Sequence, residues 1–459
     1  MRTTRQLLEC RAARVLALAS TALLPIATIA SCTSTSVTLA IEDATEDASI
    51  PDTSTEAAEP TADDAGVDAP PITIQDAATS DARPPPIQCV EPPCATSLVI
   101  GNGSDGFCAL LDDGTVACWG AANSLSTEVP KPERVPGLTN IVHIARTCAL
   151  DNDGKVWCWG TGPFLRSTLR AYTTVSASAP VQLAVPAATR LDVEYTALNS
   201  SRNAPAAVGC ALTADGVVCW GTNGEGQIRP RVLNESVTKP NGVTLVPMPE
   251  GGAPIEDIFV GLAAFALRTD GTLLSWGANP PLGRVSSLFP DSHPEPVDLA
   301  GVTYVDVAGA HACVVAQGSV YCWGAILPAA AQGAPLTHAL PERVDLPELA
   351  VSVGTTAGDY GSRGAASARA CAVAISGNVY CWGSNASGQA GDGTYDYAAT
   401  PVKVKGLPGP ASVVRTGVYT TCALLTTGKV YCWGDNPNGE LGNGTIQDPS
   451  LVPVQVLLP

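Results

Sequence analysis

Seven segments of the chain share one pattern of apolar and polar positions. Each has an apolar triplet, a short polar turn built on Asp-Gly or a similar pair, and an alternating run that ends in Trp-Gly. The residue before Trp-Gly is Cys in six copies and Ser in one. Alternation with a period of two around a glycine-containing turn is typical of a β-hairpin. The predicted hairpins are 108–120, 148–160, 210–221, 265–277, 313–324, 371–383 and 422–434.

The hairpins recur at a spacing that is typical of propeller blades. Successive tryptophans, from Trp119 to Trp433, lie 40 to 61 residues apart. Because a tryptophan occupies the same place in every copy, we expect it to pack between neighbouring blades.

Two further strands recur in each unit. An apolar run precedes the hairpin, and a Pro-Val strand such as 179–183 or 400–404 follows it. We name the Pro-Val strand a, the run before the hairpin b, and the hairpin strands c and d. Four short strands per unit without an amphipathic helix predict an all-β, seven-bladed β-propeller. The region opens on a b strand (97–100) and ends on a Pro-Val strand (452–456), so we expect the last strand to complete the first blade.

Cysteines occupy matching positions in six of the seven hairpins. They lie nine or ten residues apart, and a hairpin of this length places them opposite each other at a separation that a disulfide tolerates. The fourth hairpin has Phe265 and Ser275 instead, so both thiols are absent together, as pairing within a hairpin predicts. Metal binding is the alternative, but the spacing does not match zinc sites. The predicted pairs are Cys108–Cys118, Cys148–Cys158, Cys210–Cys219, Cys313–Cys322, Cys371–Cys381 and Cys422–Cys432.

The chain before the repeats has two parts. Residues 1–31 have arginines ahead of an apolar stretch and predict an export signal peptide. The signal ends in "IASC", which resembles the lipobox of bacterial lipoproteins, so we predict lipidation of Cys32; ordinary cleavage near Ala30 is the alternative. Residues 32–95 are acidic, rich in Ala, Thr, Asp and Pro, and predict a disordered stalk. Cys89 and Cys94 are candidates for a bridge at its base. Residues 96–459 form the predicted propeller.

Charge and motifs exclude several functions. The net charge of −18 disfavours a nucleic-acid partner, because an acidic surface repels phosphates. The segment "GNGSDG" (101–106) matches a dinucleotide-binding glycine pattern but leads into a strand instead of a helix. The four histidines are scattered, and no nucleophile motif is present. We therefore expect no cofactor, no metal and no enzymatic activity.

The repeats resemble a known family. The hairpins, and the longer segments 381–404 and 432–456, are similar to the regulator-of-chromosome-condensation (RCC1-like) repeat, with its "CAL…DG.VYCWG.N..GQLG.GT" pattern. The resemblance covers about residues 96–459, although the part after Trp-Gly departs from the pattern in units one to five. It implies a seven-bladed propeller. Bacterial exported members act mainly as binding scaffolds, including one type that inhibits β-lactamases.

Long connections are concentrated on one face of the predicted ring. In a meander, the b–c and d–a connections emerge on one face, here called the long-loop face, and the c–d turns lie on the other, the turn face. Loops on a rigid scaffold are usual binding sites, and Arg and Tyr are favoured interface anchors. The candidate binding residues are Arg166, Arg170, Tyr172, Arg202, Arg229, Arg231, Tyr360, Arg363 and Arg369.

These observations predict a binding function. We expect a monomeric propeller scaffold, exported and lipid-anchored to the bacterial cell envelope at the outer membrane or cell surface, that engages a protein or an envelope polymer through the long-loop face. The alternative is an exported polysaccharide hydrolase or lyase with acids gathered over the central channel. Guanine-nucleotide exchange on a small GTPase, suggested by the family's nuclear founder, ranks last because export separates the domain from cytosolic GTPases.

Overall fold

A computed structural model describes residues 83–101, 106–121, 129–163, 174–196, 206–232, 240–279, 281–325, 337–356 and 369–459, and the backbone of two short strands before them. The chain forms two compact units, 1–73 and 74–459. In the first unit, β1 (Leu7–Glu9) pairs antiparallel with β2 (Thr33–Thr35). The predicted signal peptide, lipidation at Cys32 and stalk up to residue 82 otherwise lie outside the described residues. The prediction of disorder is wrong for residues 83–95, because they make hydrogen bonds to blade seven and Ala95 is already the first residue of a strand. Within the described ranges, no helix has the length and apolar character to cross a membrane.

The second unit is an all-β propeller with seven four-stranded antiparallel blades, as predicted. Within each blade the strands follow the order b, c, d, a, and the Pro-Val strand is the outermost one. The strands of blades one to four are β3 (Ala95–Ile100), β4 (Gly106–Leu111), β5 (Val116–Gly120), β6 (Glu133–Arg134); β7 (Ile141–Ala145), β8 (Cys148–Asp151), β9 (Val156–Pro163), β10 (Thr174–Gln182); β11 (Ala188–Thr196), β12 (Ala206–Thr213), β13 (Gly216–Thr222), β14 (Pro240–Leu245); β15 (Ile255–Val260), β16 (Ala263–Arg268), β17 (Leu273–Gly277) and β18 (Asp291–Pro296). The strands of blades five to seven are β19 (Val302–Ala308), β20 (His311–Ala316), β21 (Ser319–Ala325), β22 (Thr337–Val344); β23 (Ala350–Thr356), β24 (Arg369–Ala374), β25 (Val379–Gly383), β26 (Ala398–Lys403); β27 (Ala411–Thr416), β28 (Thr420–Leu425), β29 (Val430–Gly434) and β30 (Ser450–Gln455).

Tryptophans fill the interfaces between blades, as predicted. Seven buried apolar clusters each combine residues of two neighbouring blades, and each cluster contains one repeat tryptophan. A buried indole N–H needs an acceptor. In blades four, five and seven, the indoles of Trp276, Trp323 and Trp433 donate to a carbonyl in the d–a loop of the preceding blade, at 2.7, 2.8 and 2.9 Å. The repeat tryptophan thus packs each blade against the blade before it.

The ring closes differently from our prediction. The last strand, β30, pairs with β29 inside blade seven, and blade one has its own outer strand, β6, so the expected completion of blade one is wrong. A Pro-Val strand belongs to the hairpin before it, and the first blade therefore needs no strand from the other end of the chain. Packing closes the ring instead: Trp119 of blade one lies in one cluster with Leu441 and Val456 of blade seven. Its indole donates to Glu440 O at 2.9 Å.

Disulfides staple six hairpins. The facing cysteines of strands c and d have α-carbons 4.0 to 4.1 Å apart and are joined in each of the six expected pairs. Blade four has Phe265 opposite Ser275 at these positions. A seventh bond joins Cys89 to Cys94, immediately before β3.

Candidate functional site

Exposed apolar side chains lie on two neighbouring loops of the long-loop face, in blades three and four. Val232 belongs to the d–a loop of blade three, and Val285, Leu288 and Phe289 belong to that of blade four. Val285 is 84% exposed and Phe289 65% exposed. The two loops touch, because a Cβ at Gly226 would lie 3.3 Å from Pro290 Cγ. We call these four side chains the blade three–four patch. Exposed apolar patches of this kind mark interaction sites more often than scattered single residues do.

A polar network holds the patch in place. The Asn279 side chain donates to the carbonyls of Ser286 and Leu288 at 3.0 and 3.1 Å. Below it, the Arg284 guanidinium is buried and lies 2.9 Å from the Asp291 carboxylate. Asp291 also accepts a hydrogen bond from Ser286 Oγ at 2.7 Å. The loop therefore presents its apolar side chains from a fixed backbone, which lowers the entropy cost of binding.

Three of the predicted binding residues fall in the described part of the chain. Arg231 is exposed on the loop that carries Val232. Arg229 is half-buried, and its guanidinium donates to Asn241 Oδ1 at 3.1 Å and to Pro230 O at 3.3 Å, so it braces that loop. The remaining candidates, which lie outside the described residues, are Arg166, Arg170, Tyr172, Arg202, Tyr360 and Arg363.

The surface role predicted for Arg369 is wrong. Its side chain is 1% exposed and lies between blades six and seven. The guanidinium donates to the carbonyls of Gln389, Gly417 and Thr420 at 3.1, 2.7 and 2.6 Å, and to the Thr421 hydroxyl. Arg369 is the first residue of β24 and not part of the preceding connection, so it ties two blades together and cannot contact a partner.

The central channel is the second candidate site. The b strands are innermost in every blade and line a cavity of about 570 Å³, within the range of small-molecule sites. Sequence reasoning did not identify its charged lining. The signal was present in the alternating polar positions of two b strands, "RLDVEY" (190–195) and "TYVDVA" (303–308). The charged lining residues are Arg146, Arg190, Asp192, Glu194, Glu256, Asp257, Asp306 and Arg415.

Ion pairs cross the channel between blades. Arg146 Nη2 lies 2.6 Å from Glu194 Oε2. Arg415 Nη1 lies 3.6 Å from Asp306 Oδ1 and donates to the Tyr304 hydroxyl at 2.9 Å. These two arginines are half-buried, and partial burial would lower their pKa, but the neighbouring carboxylates and the Tyr304 oxygen outweigh it and raise the pKa. These ion pairs therefore connect different blades around the channel.

Three aspartates of the channel have a pKa above the usual value for a carboxyl group. Burial raises the pKa of Asp192 to about 7, and burial also raises the pKa of Asp306 and Asp257. The Asp192 carboxylate accepts the N–H of Val193 at 2.9 Å and the N–H of Val260, in the next blade, at 2.7 Å. The pKa of His143 is lowered, chiefly by burial, so this ring is neutral near pH 7.

Three carboxylates of the channel are engaged by arginines. Glu194, Asp257 and Asp306 each lie within 4 Å of an arginine, at 2.6, 3.9 and 3.6 Å, and this pairing competes with proton donation to a substrate. In the part of the chain that the structure describes, no group of three or more His, Cys, Asp or Glu is arranged to hold a metal.

Comparison with known proteins gives the same repeat. The family model described as the regulator of chromosome condensation (RCC1) repeat matches residues 376–424 and 427–459, and a second model of this repeat matches 413–440. The human E3 ubiquitin-protein ligase HERC2 is 30% identical over 249 residues, which are 42% of this chain and 5% of HERC2. The mitochondrial RCC1 domain-containing protein RUG3 of Arabidopsis thaliana is 27% identical over 205 residues, 41% of this chain and 43% of RUG3. The chain thus spans less than half the length of these relatives.

Solved propellers share the fold. Prp20p from Saccharomyces cerevisiae superposes with a TM-score of 0.55 at 19% identity, over 74% of this chain and 85% of Prp20p. Human WBSCR16 superposes with a TM-score of 0.53 at 17% identity, over 72% of this chain and 86% of WBSCR16. At such identities the likeness concerns the fold alone. Residues 376–459 therefore match RCC1 repeats, and the seven blades, each built on one Trp-Gly hairpin, are similar to those of the RCC1-like repeat family.

Proposed function

We propose that this protein is a non-catalytic scaffold that binds a protein partner through its long-loop face. The observation that carries the proposal is the blade three–four patch, where four exposed apolar side chains stand on two touching loops beside the exposed Arg231. Of these residues, Phe289 and Arg231 belong to the types that are enriched in protein interfaces. The partner surface is expected to be apolar at its centre and acidic at the edge that meets Arg231.

The N-terminal segment attaches to the turn face, and this supports an orientation in which the long-loop face points away from the membrane. Gln88 N–H donates to Thr426 O at 2.7 Å, and Asp112 N–H donates to Cys94 O at 2.9 Å. Thr426 and Asp112 lie at the c–d turns of blades seven and one, on the turn face. A tether that runs from a lipidated Cys32 through the acidic stalk would reach the propeller there. An envelope-anchored protein would then present the long-loop face away from the membrane.

The comparisons favour a protein over a polymer as the partner. Prp20p is described by its binding to Gsp1p and histones, and a second structure shows it bound to Kap60. These partners belong to Prp20p, and they support for this chain only the general statement that such a propeller can serve as a protein-binding surface.

The experiment compares the two faces of the ring. The double variant Val285→Ser, Phe289→Ser removes two anchors of the patch. The matched control, Leu349→Ser with Ile375→Ser, changes apolar side chains that are 47% and 56% exposed on the turn face. Partners are captured by site-specific photo-crosslinking of the full-length protein in cells of the native envelope, and affinity is then measured with the purified partner.

We expect the patch variant to weaken binding at least about tenfold, the loss typical of one or two interface anchors, and the control to leave binding within about twofold. Equal losses from both variants, or capture of a polymer instead of a protein, would contradict the assignment.

A second candidate function, polysaccharide hydrolysis, is favoured by one observation. Five carboxylates face a cavity large enough for a sugar. A hydrolase would release reducing ends from envelope polysaccharide and lose this activity in Asp192→Asn, whereas a scaffold releases none.

A further inference from the structure

Five carboxylates line the described part of the channel, and four of them each form an ion pair with an arginine. Three pairs join residues of different blades, and the partner of the fourth carboxylate comes from the N-terminal segment. The pairs are Arg146–Glu194 at 2.6 Å, Arg415–Asp306 at 3.6 Å, Arg190–Asp257 at 3.9 Å and Arg83–Glu256 at 3.0 Å. Among the described residues that line the cavity, Asp192 is the carboxylate without an ion pair. The channel wall therefore has, among the described residues, one carboxylate at a defined place with no cation within ion-pair distance.

Asp192 has capacity for a further hydrogen-bond donor. Each of its carboxylate oxygens accepts one backbone N–H, from Val193 and from Val260. An ionised carboxylate has about four acceptor positions, so about two remain available toward the cavity. Arg146 is the cation that acts most strongly on the pKa of Asp192, but it already forms an ion pair with Glu194. Burial of a charge without a close counter-ion is costly, and binding a cation would relieve that cost.

One carboxylate of the channel wall, Glu256, is already paired with an arginine from outside the blades, Arg83. The segment before Cys89 crosses the turn-face end of the channel: Ser412 Oγ of blade seven donates to Pro85 O at 2.7 Å, and Arg83 reaches Glu256 of blade four. Glu256 is the second residue of β15, at the turn-face end of that strand. The segment before Cys89 thus places the Arg83 guanidinium beside one lining carboxylate at the turn-face end.

We propose that the channel binds an alkylammonium group whose nitrogen contacts the Asp192 carboxylate. A compact ammonium with three donors matches one carboxylate with free acceptor positions better than a planar guanidinium, which favours two parallel bonds. The alkyl stem has apolar neighbours, since Val99, Ile144, Ala145 and Phe259 also line the cavity. This site is independent of the patch, so either can exist without the other.

The test measures binding of n-butylammonium to the full-length oxidised protein by isothermal titration calorimetry. Wild type is expected to bind it saturably and to ignore n-butanol, which has a similar shape and no charge. Asp192→Asn is expected to weaken binding at least about tenfold, because a charge-assisted hydrogen bond is lost. Asp257→Asn is the matched control: it removes one negative charge from the same wall but from a paired carboxylate, and should change affinity less than about threefold.

Several outcomes decide the proposal. Absence of butylammonium binding, or equal losses in the two variants, overturns it. If Asp192→Asn does not fold, the comparison of butylammonium with butanol in thermal shifts of the wild type takes its place, and equal shifts overturn the proposal. Nα-acetyl-lysine methylamide distinguishes the source: binding indicates that a lysine side chain of a protein can enter, and exclusion indicates a free amine. Binding that persists in the Val285→Ser, Phe289→Ser variant separates this site from the patch.

Discussion

Blade four is held together differently from the six other blades. In those six, a disulfide joins strands c and d at facing positions. In blade four, Phe265 packs edge-on against Trp323 of blade five with ring centroids 5.9 Å apart. Ser275 accepts hydrogen bonds from Arg284 at 3.2 Å, to its hydroxyl and to its carbonyl. A covalent bond is therefore replaced by an aromatic contact and an ion-pair network.

The network also fastens the blade-four loop that carries three of the four side chains of the exposed patch. Arg284 links Ser275 in strand d to Asp291 and Glu295 in strand a, at 2.9 and 3.2 Å. The d–a loop that carries Val285 and Phe289 is thereby fastened at its base. A disulfide between c and d would not fasten this loop. The two kinds of staple also respond to different conditions, because disulfides are sensitive to reductants and the network is sensitive to charge.

Removal of Arg284 is expected to have the largest effect. Arg284→Ala leaves Asp291 buried without its cation, and breaking a buried pair by removing one partner costs about 3–5 kcal/mol. Urea unfolding of the oxidised protein measures the loss. The exposed Arg231→Ala, on the neighbouring loop, is the control and should change the unfolding free energy by less than about 0.5 kcal/mol. A loss below about 1 kcal/mol for Arg284→Ala would mean that Phe265 and Trp323 hold the blade without the network.

Removal of one disulfide is expected to have a smaller effect. Replacing Cys148 and Cys158 by Ala opens a short loop, for which the chain-entropy account gives up to about 3 kcal/mol. The turn already holds the ends of the hairpin together, so the loss should fall below that limit. The difference between wild type and variant should disappear when both are unfolded in reductant. A difference that persists in reductant would show that the cysteines stabilise the blade by packing alone.

The propeller itself was predictable because its signals are local and repeated. A turn, two facing cysteines and Trp-Gly occur within thirteen residues, and the seven copies reinforce each other. Ring closure was not predictable in the same way, because nothing in the sequence marks whether a Pro-Val strand pairs with the hairpin before it or after it. Arg369 was misplaced for a related reason: a long connection ends there, and the start of β24 is not marked by a turn residue.

The charged channel was invisible for a different reason. Arg146 and Glu194 lie on neighbouring blades, and Arg415 reaches Asp306 from two blades away. These partners meet only when the ring has closed, so no spacing along the chain reveals them. The polar alternation in β11 and β19 did indicate that these strands are not packed against apolar neighbours on both faces. Sequence reasoning therefore supports a prediction of a polar channel but not of its pairing, and the unpaired Asp192 follows only from the structure.

Low pH is expected to cause the smallest loss of stability. Of the links compared here, it should weaken the Arg284–Asp291 network of blade four and leave the disulfides of the other six blades unchanged. Burial by itself would raise the pKa of Asp291, but hydrogen bonds from Ser286, His293 and Arg284 outweigh it and lower the pKa to about 2. A folded-state pKa below the unfolded value of 3.8 contributes stability that is present above about pH 4 and lost as the pH falls toward 2. The contribution is about 2 kcal/mol at most, and disulfides do not titrate in this range.

The measurement compares wild type with Asp291→Asn by urea unfolding at pH 5, 3.5 and 2.5. The stability difference between the two should shrink as the pH falls, because protonation of Asp291 makes the wild type resemble the amide. The Cys148→Ala, Cys158→Ala variant serves as the control, and its difference from wild type should stay constant across the same pH range. A constant difference for Asp291→Asn as well would mean that the carboxylate is not the titrating part of the network and that the contrast between blade four and the disulfide blades does not extend to charge.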